Sequence, residues 1–356
     1  MEAPGIAARP HGWLASSVRS VPGRFTEEER GPMLQLRPAL LLTLAAVVLP
    51  PPQSGRVAAT QPVEEGYVTA ADGARLFYQQ VGSGPALIVP GRLFLFEALR
   101  PLSRGRTLIA YDMRNRGRSD AISDAARLTI QHDVGDLEAV RRHFAAERFS
   151  TVGYSYLGMM VVMYAIDHPN RIERLVQIGP VPRKFGTAYP EDQVARDGTS
   201  VLDQDGLAAL RRMREEGLHE KQPQEYCERE WQVTRVRLVG DPARAPAIPS
   251  PCAMPNEWPV NLAKHLEAHF VNSVQKLDVP VEDIQGVKAP VLTIHGTRDR
   301  NAPYGAGREW ARTLPNARLL TVQGAAHQVW ADAPWVWRAI ETFLNGEWPK
   351  EAEVIE

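Results

Sequence analysis

Apolar positions along this chain repeat with two different periods, and the switches between them divide it into elements. Residues 66–69 and 75–80 are short runs rich in Val, Tyr and Phe. They predict two strands joined at Ala71-Asp72-Gly73, since Asp-Gly accepts the positive φ values of a tight hairpin. The apolar runs 86–89, 107–111, 149–153 and 174–178 predict four further strands. Between them, residues 130–144 and 156–168 carry apolar side chains three and four apart, the spacing of a helix face. Two more strands are expected at 290–294 and 317–322, which brings the sheet to eight. Strands that alternate with helices predict a mostly parallel sheet with helices on both faces, an α/β fold.

From 181 to 283 the alternation stops. Helical stretches are expected at 206–216, 224–238 and 258–274, with a proline-rich segment at 242–259. The pattern divides the chain into an N-terminal extension (1–59), a first part of the core (60–180), an insertion after the sixth strand (181–283), a second part of the core (284–346) and a tail (347–356). Within the extension, Arg37 precedes an apolar run of about 11 residues, then prolines and Val57-Ala58-Ala59. A basic start, a short apolar run and a small-x-small site read as a secretory signal over 33–59. The expectation is a secreted or periplasmic protein that does not stay inserted in a membrane; an uncleaved N-terminal anchor is the alternative.

Composition narrows the function. The chain has 356 residues, 44% of them apolar, and a formal net charge of −1. It has no basic stripe, so nucleic-acid binding lacks electrostatic support. No phosphate-binding glycine loop or metal-ligand spacing is present, and no metal or cofactor is expected. His132, His265 and His269 fit no ligand pattern and read as surface or pocket histidines. Cys227 and Cys252 are the two cysteines; in an exported chain they are expected to pair.

The candidate chemistry begins at Gly153-Tyr154-Ser155-Tyr156-Leu157-Gly158. An apolar strand leads into it and an apolar helix follows. A serine on such a turn stands clear of the backbone at a helix N-terminus, where backbone N–H groups stabilise an oxyanion. A second strand runs into His295-Gly296-Thr297-Arg298-Asp299, and a third into Gln323-Gly324-Ala325-Ala326-His327. Ser155, Asp299 and His327 thus each lie just past a strand. A serine hydroxyl needs a base to become nucleophilic, and an imidazole needs a carboxylate to fix its tautomer.

These segments resemble the α/β-hydrolase superfamily from about residue 66 to 344. The order Ser, Asp, His is that of the family. Tyr111-Asp112-Met113-Arg114-Asn115-Arg116-Gly117-Arg118-Ser119 resembles its structural Asp-x-Arg-x-x-Gly-x-Ser segment. The resemblance implies an α/β-hydrolase fold with a helical cap inserted after the sixth strand. It also implies a Ser155-His327-Asp299 triad and an oxyanion hole built from the N–H groups of Arg92 (or Leu93) and Tyr156. Two positions depart from the family. Leu157 stands where the elbow has a small residue, and Pro90-Gly91-Arg92-Leu93 replaces a His-Gly loop. The substrate is expected to be a small ester, amide or short peptide. Glu225, Glu228 and Glu230 near Trp231 raise the alternative of a proline-iminopeptidase-like aminopeptidase, in which cap carboxylates hold the substrate amine. Leu93, Glu228 and Trp231 are accordingly candidate substrate contacts. A non-catalytic, ligand-binding member of the fold is the alternative of another class.

Overall fold

The computed structural model of the chain describes residues 62–189 and 201–356. The signal read at 33–59 lies outside the described residues. Nine strands form one sheet in the order β1-β2-β4-β3-β5-β6-β7-β8-β9. Strands β1 (Glu64–Thr69) and β2 (Arg75–Gly82) form the hairpin, and β2 pairs antiparallel with β4 (Thr107–Tyr111). The strands β3 (Ala86–Pro90), β5 (Phe149–Tyr154), β6 (Ile172–Ile178), β7 (Val291–Gly296) and β8 (Ala317–Val322) complete the parallel part. The expectation of eight strands is corrected by β9 (Ala352–Glu353), which pairs antiparallel with β8. Two residues, Ala352 and Glu353, leave no periodic signal in a tail otherwise rich in charge.

Helices α1 (Arg92–Leu99), α2 (Ile130–His143) and α3 (Tyr156–Asp167) follow β3, β4 and β5. The insertion between β6 and β7 carries α4 (Gln204–Glu215), α5 (Leu218–Lys221), α6 (Pro223–Thr234) and α7 (Pro259–Asn272), with 3₁₀ turns at Arg235–Leu238 and Pro255–Glu257. Then come α8 (Val281–Gln285), α9 (Tyr304–Thr313), α10 (Val329–Asp332) and α11 (Val336–Leu344). The expected helix at 224–238 thus ends at Thr234 and finishes as a tighter turn.

Two apolar cores flank the sheet. On one face Ile88, Ile109, Phe149 and Leu175 pack against Leu137, Val140, Met160 and Val161 of α2 and α3. On the other, Val89, Leu108, Val152, Val176 and Leu292 pack against Leu95, Leu99, Ile340 and Phe343 of α1 and α11. Burial on both faces explains why the central strands read as continuous apolar runs rather than alternating ones. β3 lies between β4 and β5, so the chain leaves it first to one side and then to the other. The crevice at the carboxyl ends of β3 and β5 is the switch point where open α/β sheets place their ligands. Gly91 and Ser155 stand there.

Candidate active site

Ser155 follows β5 and caps α3 with φ 59° and ψ −126°, a conformation that costs a non-glycine residue on the order of 1–3 kcal/mol. Its N–H donates to the Ile178 carbonyl at 2.8 Å. The turn leaves no space at its start: a Cβ on Gly153 would lie 2.3 Å from the Leu157 carbonyl oxygen. Leu157 itself is accommodated by Gly91, where a Cβ would sit 2.6 Å from Leu157 Cδ1. Gly91 also has φ 80°. A large residue in the elbow is therefore matched by the lack of a side chain on the facing loop.

Asp299 is fully buried beyond β7, and His327 beyond β8 is 3% exposed. His327 Nδ1 lies 2.7 Å from Asp299 Oδ2. The other carboxylate oxygen accepts the backbone N–H groups of Asn301 (2.8 Å) and Ala302 (2.9 Å). Burial alone pushes the Asp299 carboxyl upward, but the His327 charge and the hydrogen bonds from His295 and His327 outweigh it and hold the group well below the usual carboxylate range. Gly179, just past β6, faces this pair. A Cβ there would lie 3.1 Å from Asp299 Oδ2 and 3.2 Å from His327 Nδ1. The two loops are tied together by the Arg298 N–H on the Ala325 carbonyl at 2.8 Å and by the Gly324 N–H on Thr297 Oγ1 at 2.9 Å. Asp332 joins the histidine loop to the insertion, accepting from Ala326 N–H (3.0 Å) and Gly240 N–H (2.7 Å).

Arg92 and Tyr156 occupy the first positions of α1 and α3, where backbone N–H groups have no intrahelical acceptor. The Arg92 side chain is occupied elsewhere. It grips Asp112 through Nε (3.0 Å) and Nη2 (2.9 Å) and reaches Gln79 with Nη1 (2.9 Å). The Asp112–Ser119 segment is built as scaffolding. Arg114, 2% exposed, binds Asp136 and Asp72. Ser119 Oγ donates to the Asp112 carbonyl and accepts from Phe77 N–H. Gly117, at φ 50°, leaves the space that Asp112 fills.

Ser155 and His327 border one cavity of about 490 Å³, together with Gly91, Leu93, Leu157 and, from the insertion, Trp231. Of the candidate substrate contacts, Leu93 and Trp231 therefore lie on this cavity. Glu228 does not: its carboxylate accepts from Ser250 Oγ at 2.9 Å, and neither it nor Glu225 nor Glu230 is in the lining. Cys227 and Cys252 are joined, with their Cα atoms 5.7 Å apart. Among the described residues no cluster of three His, Cys, Asp or Glu side chains is placed to hold a metal ion, and no helix is long and apolar enough to cross a membrane.

His265 and His269, read from the sequence as surface or pocket histidines, line the cavity, but sequence reasoning missed several interactions around it. His295 is fully buried, with Nε2 3.1 Å from the Ala302 carbonyl and 3.3 Å from Asp299 Oδ2. Its position at a strand end, four residues before the acid, was the available signal. Asp133 on α2 accepts from Tyr156 Oη (2.7 Å) and pairs with His269 Nε2 (3.0 Å). The aspartate is thereby linked to the residue after Ser155. His265 stacks on His269, and burial, assisted by the Arg116 charge, pushes its imidazole down to about 4. Arg116 makes a fork to the buried Glu257, with Nη2 at 2.6 Å and Nε at 2.9 Å. The Asp133–His269 and Arg116–Glu257 pairings cross 136 and 141 residues, and no local spacing announces them.

A family model for the alpha/beta hydrolase fold matches residues 91–334. A non-heme haloperoxidase of Rhodococcus erythropolis is 27% identical over 282 residues, covering 73% of this chain and 92% of that protein. A putative proline iminopeptidase of Mycoplasma pneumoniae is 32% identical over 123 residues, 33% of this chain and 40% of its own length. Among solved structures, a serine hydrolase of the bacterium Cycloclasticus zankles superimposes with a TM-score of 0.61 at 14% identity, over 80% of this chain and 99% of that one. The serine elbow at the switch point, the sheet order and the family match lead to one conclusion: the chain belongs to the α/β-hydrolase family of enzymes.

Proposed function

We propose that the chain is a serine hydrolase that cleaves small carboxylic esters through an acyl-enzyme. The observation that carries the reading is the 2.7 Å contact of buried Asp299 with His327, on a cavity that Ser155 also borders. His327 takes the Ser155 hydroxyl proton as Oγ attacks the substrate carbonyl. The oxyanion is held by the N–H groups of Arg92 and Tyr156. The imidazolium then protonates the leaving alcohol as the acyl–oxygen bond breaks. Water, deprotonated by His327, attacks the acyl-enzyme and returns Ser155 and the acid product. Asp299 keeps the Nδ1 proton on the imidazole and stabilises its charged form. The insertion acts as the cap, contributing Trp231, Arg235, Leu238 and His265 to the lining.

The ester reading is preferred to the aminopeptidase one. The cap glutamates lie outside the cavity lining, and the iminopeptidase likeness covers a third of the chain. The test is rapid mixing with p-nitrophenyl butyrate. The reading expects a burst of one nitrophenolate per protein followed by slower turnover, absent in Ser155→Ala. A burst of equal size in Ser155→Ala would reject it.

A further inference from the structure

The charges around the cavity are unevenly paired. Three carboxylates border it, and each is engaged by a cation or imidazole of the protein itself: Asp112 by Arg92, Asp133 by His269 and Glu257 by Arg116. Two guanidiniums on the same cavity, Arg235 and Arg237, make no hydrogen bond or ion pair among the described residues. Glu230 feels the Arg237 charge, but it lies outside the lining. Arg235 is half-buried and Arg237 exposed. Both sit on the 3₁₀ turn Arg235–Leu238. That turn is docked on the candidate catalytic loops: Gln328 N–H donates to the Leu238 carbonyl at 2.8 Å, and Arg300 Nη1 to the Val239 carbonyl at 3.0 Å. The arginines therefore border the cavity on its histidine side. Much of the remaining lining is apolar, with Leu157, Leu262, Leu266 and Phe270 among it.

Arg235 and Arg237 are the two cavity guanidiniums without a carboxylate acceptor, and such donors at the edge of an apolar cavity suit an anion that supplies one. We infer that the substrate is an ester bearing a carboxylate, held by Arg235 and Arg237, with its apolar part against α7. The inference rests on the hydrolase reading and deepens it by naming a substrate class. It also opposes the amine-binding alternative, since a cationic substrate would meet two arginines and no open carboxylate on that side of the cavity.

The test compares matched pairs that differ only in charge. One pair is 4-(butyryloxy)benzoate and 4-(butyryloxy)benzamide, with the charge on the leaving group. The other is monophenyl adipate and its terminal amide, with the charge on the acyl group. The wild-type protein is expected to prefer the carboxylate of one pair by about tenfold or more in kcat/KM, as charge-assisted hydrogen bonds predict. Added salt should shrink this preference. In Arg235→Gln/Arg237→Gln the preference should fall to near unity, while Arg211→Gln, on the exposed side of α4, keeps it. The same pairs are titrated against Ser155→Ala protein, which needs no turnover. A tenfold tighter Kd for the carboxylate is expected there, and it should be lost when the two arginines are also replaced. Equal kcat/KM and equal Kd for the members of both pairs would overturn the inference and leave the hydrolase reading standing. Selective binding without turnover of any ester by wild type would instead reject the hydrolase reading and uphold the anion site.

Discussion

Replacing Asp299 by Asn tests the proposed acid in a way the structure makes unusually specific. The carboxylate uses one oxygen to accept two backbone N–H groups, from Asn301 at 2.8 Å and Ala302 at 2.9 Å. The other oxygen faces His327 Nδ1 at 2.7 Å and His295 Nε2 at 3.3 Å. An amide in the same place must turn its oxygen to the backbone donors, because both are buried and need an acceptor. Its NH₂ group then points at His327 Nδ1. That group donates, so Nδ1 must give up its proton, and the imidazole is held with hydrogen on Nε2, unable to accept from Ser155. The expected loss is about 10⁴ in kcat, equivalent to about 5.5 kcal/mol in the barrier, the effect of the wrong tautomer in a triad. KM should change little. The NH₂ also confronts the His295 donor, so global stability should drop by about 1–3 kcal/mol. The assay is steady-state hydrolysis of p-nitrophenyl butyrate, with urea unfolding of the same samples. A folded Asp299→Asn protein retaining more than about a tenth of the wild-type kcat would refute the reasoning, because no second carboxylate stands in reach of His327 Nδ1 among the described contacts.

Other expectations follow from the same geometry. Gly91→Ala introduces a methyl 2.6 Å from Leu157 Cδ1 at φ 80° and should lower kcat by up to about 10²-fold through displacement of the proposed oxyanion loop. Leu157→Ala in the same chain should restore activity in part, leaving the backbone strain; no rescue would mean the two residues do not compensate one another. Cys227→Ala/Cys252→Ala opens a loop with a sequence separation of 25 and should cost about 3 kcal/mol of stability in the chain-entropy model, read by urea unfolding against the oxidised parent; equal midpoints would contradict it. The His265 imidazole titrates near 4 in the folded chain and near its ordinary value when unfolded, so the unfolded chain binds the extra proton first. Stability should therefore fall as pH drops from about 6.5 to 4. His265→Leu should flatten that dependence by about 1.4 kcal/mol per pH unit within the window, and an unchanged slope would reject the assignment.

How much was legible in the sequence depended on whether the signal was local. The strands and α2 and α3 came out within a few residues, because burial on both faces writes itself as continuous apolar runs and one-sided burial as a helical repeat. The same locality placed Ser155, Asp299 and His327 just past strands, where the fold also puts them, since spacing to a strand can be counted. The ninth strand was too short to carry a period. Arg116–Glu257 and Asp133–His269 were invisible because their partners lie 141 and 136 residues apart. The insertion hid the most. Trp231 and Glu228 were both candidate contacts, but a helix surface has several faces, and only the fold shows that Trp231 reaches the cavity, with Arg235 and Arg237, while Glu228 turns to Ser250. The Leu157 departure looked like a defect in the elbow until Gly91, more than sixty residues earlier, was seen to make room for it.

Covalent trapping reads most directly whether Ser155 is a nucleophile activated by His327. The protein is incubated with a fluorophosphonate at neutral pH, weighed intact and mapped after proteolysis. One adduct per chain is expected, carried on Ser155, with no adduct in Ser155→Ala and labelling slowed by orders of magnitude in His327→Ala. An unlabelled wild-type protein, or a Ser155→Ala protein labelled as fast as the parent, would contradict it.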